Sequence, residues 1–144
     1  MKKETVILNS VIGIMRAQAS LLSSLKKSLK QTDINTTEFS ILEYLYHKGN
    51  NTIENIRKHI LITSGSTTYV IDCLEKKGLV KRVQDHQDKR VYVVEISDSG
   101  KKLIQDFFPK HVENLQAIFN QFTHEDLKIF NQLLKKLEFK GEQK

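Results

Sequence analysis

The order of elements between residues 51 and 96 constrains this chain more than any other feature. Asn51 or Thr52 can cap a short helix whose buried side is Ile53, Ile56 and Ile60. Leu61 to Ser64 then make a brief link, with Thr63 and Ser64 as cap residues for a second helix. Val70, Ile71 and Leu74 form that helix's apolar stripe, and Gly78 stands where a left-handed terminal residue belongs. Two short helices joined this tightly make a helix-turn-helix. Leu79–Val83 and Val91–Ile96 follow as β-rich runs around QDHQDKR, which has no apolar residue, so the pattern predicts a hairpin with a long polar tip. Helix-turn-helix plus hairpin is a winged helix-turn-helix.

The flanks are helical. Leu8, Val11, Ile12, Met15, Ala19, Leu22, Leu25 and Leu29 recur at three- and four-residue steps, predicting one helix over 5–30. Its stripe is longer than one small lobe can cover, which suggests a second subunit or a helical platform. After Gln31–Asn35, Thr36 or Thr37 can cap a helix through Tyr46 that Gly49 closes. Ser97 and Asp98 start another, carrying Leu103, Ile104, Phe107 and Phe108. Pro109 either kinks or divides it before Val112, Leu115, Ile118, Phe119 and Phe122 resume the pattern. Thr123 and Asp126 form a capping-box-like start to a last helix with Leu127, Phe130, Leu133, Leu134 and Leu137 inward, ahead of a frayed FKGEQK tail. The expected fold is mainly α with a small β-hairpin wing. It is one domain over 1–144, with the winged lobe at 36–96 and platform helices at 5–30 and 98–139.

Composition narrows the function. The 144 residues hold one Cys, which excludes an internal disulfide framework and fits a reducing compartment. Asn9, Ser10, Arg16 and Gln18 break the apolar N-terminal stretch, so neither a signal peptide nor a membrane span is expected; the reading is a soluble, cytoplasmic domain. No Gly-rich phosphate loop, metal-ligand spacing or nucleophile motif is present, so an enzyme, a cofactor and a metal are not expected. The net charge of +6 resolves into +5 over residues 1–30, −2 over 31–50, +3 over 51–90 and zero beyond. Six cations, Lys76, Lys77, Lys81, Arg82, Lys89 and Arg90, fall within fifteen residues. Charge alone favours a solvated face, but on a wing it is a candidate footprint for nucleic acid.

That geometry predicts double-stranded DNA as partner. The second helix enters the major groove, and the wing lies over the adjacent backbone or minor groove. Ser64, Ser66, Thr67, Thr68, Tyr69, Asp72 and Lys76 occupy the expected solvent side of that helix, their hydroxyls suited to phosphates and thymine methyls. The helix carries no Arg, so modest base specificity is expected, with shape readout by Arg90. Lys81, Arg82 and Lys89 complete the expected contacts.

The stretches TTEFSILEYLYHKG, SGSTTYVIDCLEKKGLVKR and DHQDKRVYVVEISDSGKKL resemble the MarR family of bacterial transcription regulators. The resemblance spans nearly the whole chain and is most specific in Leu74–Val80, Asp88–Arg90 and Ser97–Gly100. It implies a homodimer with intertwined terminal helices, binding a palindromic operator, by default as a repressor. It also implies that Arg90 enters the minor groove while Asp88 orients it; without that role the pair is an exposed salt bridge of little energy. Two departures stand out. Cys73 replaces a cation common on the family's recognition helix, and Arg57 replaces a small residue, either supplying a backbone contact or disturbing lobe packing.

The family's members are commonly switched by a small phenolic ligand or by cysteine oxidation. Cys73 lies beside two lysines, a setting open to a reactive thiol, though a helix-interior Cys is more often an inert small hydrophobe. A pocket is the stronger expectation. Phe39 and Glu43 share a helix face with Tyr46 and His47 one turn on, His111 follows Pro109 where the fifth helix passes that face, and Met15 comes from the first helix. An aromatic wall with one acid and one imidazole suits a phenol, hydroquinone or quinone. The YLYHKG, SGSTTYV and FPKH stretches are most similar to the family's catechol- and quinone-responsive, MhqR-like branch. The alternatives are a redox repressor acting through Cys73, an architectural DNA binder, and a winged-helix interaction module, which would normally lack the wing cations Lys89 and Arg90.

Overall fold

The computed structural model of the protein describes residues 1–60 and 66–137. Among these residues, six helices and three strands follow one another as α1 (Lys3–Leu29), α2 (Thr36–Lys48), β1 (Asn51–Thr52), α3 (Ile53–His59), α4 (Thr67–Lys76), β2 (Val80–Gln84), β3 (Tyr92–Ile96), α5 (Asp98–Ile118) and α6 (His124–Lys135). The expected elements are all present with small shifts in their bounds.

Caps set several of these bounds. Asn35, not Thr36 or Thr37, caps α2: its side chain accepts from the Glu38 N–H at 2.9 Å, and Glu38 accepts from the Asn35 N–H at 3.0 Å. Thr36 already has helical geometry, so the capping oxygen has to come from one residue earlier. Thr52 caps α3 by accepting from Asn55 at 3.1 Å. Helix α4 begins at Thr67 with Ser66 as N-cap; the link, with Thr63 and Ser64, lies outside the described residues. Gly78 adopts φ of 73°, which only glycine accepts cheaply, and lets the chain turn from α4 into β2. Helix α5 is continuous through Pro109 and is not divided, although that ring has no N–H for the Gln105 carbonyl. Thr123 and Asp126 form the capping box of α6, whose predicted last residues, 138 and 139, lie outside the described residues.

Two-residue strand β1 was not expected. It pairs antiparallel with β3, Asn51 opposite Val94 and Thr52 opposite Val93, so the sheet order is β1-β3-β2. Two residues carry no alternation to read, which hides such a strand from pattern analysis.

The core lies where α2, α3, α4, the sheet and the first half of α5 meet, with Ile41, Leu42, Leu45, Ile56, Ile71, Leu74, Val94 and Ile104 fully buried. Each such side chain contributes about 1.5–3 kcal/mol of burial. On α1 only Leu25 and Leu29 join it. Ile7, Leu8, Val11, Ile12, Ile14 and Met15 are exposed, as are Ile129, Phe130, Leu133, Leu134 and Leu137 on and beyond α6. The α6 stripe therefore does not face inward within one chain. An 18-residue stretch of α1 has mean hydropathy 1.4, which by length and composition alone is apolar enough to cross a membrane. Asn9, Ser10, Arg16 and Gln18 interrupt the stripe, but the Ile, Val, Leu and Met residues outweigh them in the mean.

Candidate nucleic-acid interface

Helix α4 turns Val70, Ile71 and Leu74 into the core and leaves Thr68, Tyr69 and Lys76 exposed. Ser66 precedes them, exposed, with no capping bond from its side chain. Thr67 departs from expectation. It is buried, because position 67 shares the inward face with Val70, Ile71 and Leu74, so its hydroxyl is not on the outer surface. Ser64 lies outside the described residues. Cys73 is a free, half-buried thiol one turn beyond Tyr69, and its hydrogen bond pushes the Tyr69 phenol above its ordinary range.

The wing is a closed hairpin end. The Asp85 N–H donates to the Val91 carbonyl at 2.9 Å and the Val91 N–H to the Asp88 carbonyl at 3.0 Å. Asp88 Oδ1 accepts from the Arg90 backbone N–H at 3.0 Å and from Nε at 3.1 Å, while Oδ2 accepts from a terminal guanidinium nitrogen at 3.2 Å. Arg90 holds the Asp88 carboxyl below the usual carboxylate range. The Arg90 side chain stays 90% exposed, so it is oriented at its root and open at its tip. Lys89 is exposed beside it. Lys81 is also exposed, on the outer face of β2 across from Glu95.

Arg82 is placed differently from the sequence expectation. It lies on the inner face of β2, where its guanidinium meets Asp72 at 2.5 Å and Glu75 at 2.8 Å, both on α4. Its backbone N–H donates to Glu75 as well, at 3.1 Å. With 24% of the side chain exposed, its guanidinium is engaged by two carboxylates of α4. Residues 80, 82 and 84 share a sheet face, and the period of two puts Arg82 on the α4 side. Arg57 is exposed on α3 and paired with Glu54, so it leaves lobe packing undisturbed. A second cation from the same cluster turns inward too. The Lys77 ammonium reaches the Glu38 carboxylate at 3.0 and 3.1 Å and donates to the Asp33 carbonyl. Neither link was expected, although Asn35-x-x-Glu38 is a readable capping box and marks Glu38 as fixed.

The residues expected to form one ligand wall fall in four places. Phe39 is in the core, 5.0 Å from Phe107 and 5.6 Å from His111 between ring centroids. His111 stacks on Phe107 at 5.2 Å, its Nδ1 is buried without a hydrogen-bond partner, and burial pushes the imidazole below its ordinary range. Tyr46 and His47 line a groove of about 480 Å³ against Ile104, Phe108 and Val112 of α5. His111 lies behind its Phe108 wall, 6.2 Å away. Glu43 opens instead into a groove of about 270 Å³ shared with His47 and His59, where burial raises its carboxyl against the opposing pull of His47. Met15 is exposed on α1 and lines neither groove. Phe107 and Phe108 supply the aromatic box that the wall on α2 alone could not form. Among the described residues, no cluster of three or more His, Cys, Asp or Glu has the placement to hold a metal ion.

The chain matches the MarR family over residues 34–92. It is 34% identical to the HTH-type transcriptional regulator MhqR of Bacillus subtilis (strain 168), over 92% of this chain and 91% of that one. Among solved structures it is similar to the S. aureus MepR–DNA complex, with TM-score 0.74 and 26% identity, covering 89% of this chain and 94% of the other. It is also similar to NadR in complex with 4-hydroxyphenylacetate, with TM-score 0.74 and 25% identity over 88% and 89% of the two chains. Fold, wing and relatives agree, and the chain belongs to the MarR family of DNA-binding transcription regulators, not to a family of enzymes.

Proposed function

We propose that two copies of this chain pair through α1 and α6 and bind a palindromic operator as a repressor. Helix α4 enters the major groove and Arg90 the neighbouring minor groove, and a small phenol or quinone releases the complex. The observation that carries this reading is the pairing of an outward α4 face, Thr68, Tyr69 and Lys76, with a wing tip where Asp88 steers a 90% exposed Arg90. An arginine so presented suits a narrow, electronegative minor groove. Dimer formation is supported by the exposed apolar stripes of α1 and α6, which exceed what scattered surface residues explain. The two helix-turn-helix units would then meet half-sites about 34 Å apart.

The effector reading rests on the His111 box and the groove beside it. Burial favours the neutral imidazole, and its unpartnered Nδ1 is able to exchange a hydrogen bond with a phenol or a quinone oxygen. NadR, the similar protein solved with 4-hydroxyphenylacetate, holds a ligand of this class.

The test is selection of duplexes from a random pool, followed by footprinting and sedimentation of the complex. A palindromic consensus protected by two chains, released by a phenol or quinone titration, is expected. Binding without sequence preference would instead leave an architectural protein.

A further inference from the structure

Two cations of the basic cluster are engaged within the protein, and each ties α4 to a neighbouring element. Lys77 leaves the C-terminal end of α4 and lies across both carboxylate oxygens of Glu38, at 3.0 and 3.1 Å, while also donating to the Asp33 carbonyl. Glu38 is 4% exposed and fixed by the α2 capping box, so its charge cannot move to meet its partner. Arg82 approaches α4 from the sheet and binds Asp72 and Glu75 at once. Among the described residues, Lys76, Lys81 and Lys89 enter no ion pair within 4.0 Å.

We propose that Lys77 and Arg82 are positioning residues that set the tilt of α4 from its two sides, and that neither is a phosphate contact. The inference rests on α4 being the recognition helix. Lys77 ties the end of α4 to the α1–α2 junction, and Arg82 ties its outer carboxylates to the wing strand. Base-edge contacts tolerate little misplacement, whereas non-specific attraction to phosphates depends on charge and hardly on tilt. A positioning cation and a phosphate-binding cation therefore leave different signatures. Losing a phosphate contact reduces the slope of log K against log salt by about 0.9. Losing a positioning contact leaves that slope alone and lowers the preference for the specific site.

The experiment uses full-length protein and two duplexes, the one wild type selects from a random pool and a scrambled control, titrated between low and moderate salt. Lys77→Met and Arg82→Met are compared with Lys76→Met, which removes an outward cation. Expected for the first two is roughly tenfold weaker binding to the selected duplex, with little change on the scrambled one and an unchanged salt slope. Lys76→Met is expected to weaken both and reduce the slope. Glu38→Gln keeps the capping acceptor but removes the charge, so it carries the Lys77 arm if Lys77→Met fails to fold; it is expected to behave as Lys77→Met does. Arg82→Lys, which reaches one carboxylate at a time, carries the Arg82 arm and is expected to lose part of the preference. A slope reduced in Lys77→Met or Arg82→Met as in Lys76→Met would overturn the proposal. So would lower melting temperatures with unchanged affinities, which mark a merely structural role. Wild type showing no preference between the duplexes would instead remove the recognition-helix reading itself.

Discussion

Gly100, in the first turn of α5, faces the Leu79 carbonyl so closely that a β-carbon there would lie 2.4 Å from its oxygen and 2.7 Å from Ile96 Cγ1. The first obstacle is backbone and cannot swing aside. The same junction is tied by the Ser97 N–H to the Leu79 carbonyl at 2.9 Å and the Ser97 hydroxyl to the Gly78 carbonyl at 2.6 Å. Gly100→Ala is therefore expected to cost about 1–3 kcal/mol through forced separation of α5 from the α4–β2 turn. Urea unfolding of the two proteins measures it, and equal midpoints would disprove the tight approach.

Asp88→Asn keeps an acceptor for the Arg90 backbone N–H but removes the ion pair that aims the guanidinium. Expected is weaker discrimination at the wing's base pairs, with non-specific affinity equal or slightly higher because one negative charge is gone. Because Arg90 depresses the Asp88 pKa, the paired state persists above the usual carboxylate range and is lost only as pH falls through the lowered value. Wing-dependent preference should accordingly be flat across neutral pH. Competition binding at several pH values checks this; a step near neutrality would implicate a different group.

His111 behaves oppositely to a paired histidine. Burial lowers its folded pKa, so the unfolded chain takes up the proton first, and stability is lost as pH falls through the ordinary imidazole range. The loss is complete once pH is below the lowered folded value. Wild type should lose stability relative to His111→Gln as pH falls across that window, where their melting temperatures differ most in slope against pH. Parallel curves would mean that His111 is solvated in the native protein.

Phe39→Ala is expected to lose about 3–5 kcal/mol, because Phe39 is 2% exposed and packs on Phe107 and His111. A ligand titration on that variant would confuse unfolding with lost contacts. Phe39→Leu retains most of the volume, and effector release should be compared there.

Charges on the apolar stripes test the dimer. Ile12→Asp or Leu133→Glu places a charge on a side chain about half exposed in one chain, so the monomer should fold with nearly wild-type stability. Sedimentation should show dissociation, and affinity for a two-half-site duplex should fall. An unchanged sedimentation coefficient for both would place the subunit contact elsewhere.

How legible all this was in the sequence depends on range. Helices, wing, the glycine at 78 and the caps at Thr52, Ser97 and Thr123 were readable because each is written in a few consecutive residues. What failed was long-range. Arg82 and Lys77 look like neighbours of Lys76 and Lys81 on paper, and only the sheet face and the turn at Gly78 aim them at carboxylates. Thr67 failed for a related reason: its hydroxyl advertised a surface role, but the phase of α4 buries it. The ligand wall scattered because i,i+4 spacing fixes a shared helix face without saying which neighbour covers each part of it.

The small strand β1 has a mechanical consequence. It fastens the root of α3 to β3, and β3 in turn carries the wing, so helix-turn-helix and wing share one hydrogen-bonded sheet. The separation between the tip of Arg90 and the outer face of α4 is thereby held like the jaws of a calliper. If α4 and Arg90 dock together as proposed, a duplex whose groove spacing does not match that gauge would have to deform to be held, and its stiffness would become part of what the protein selects.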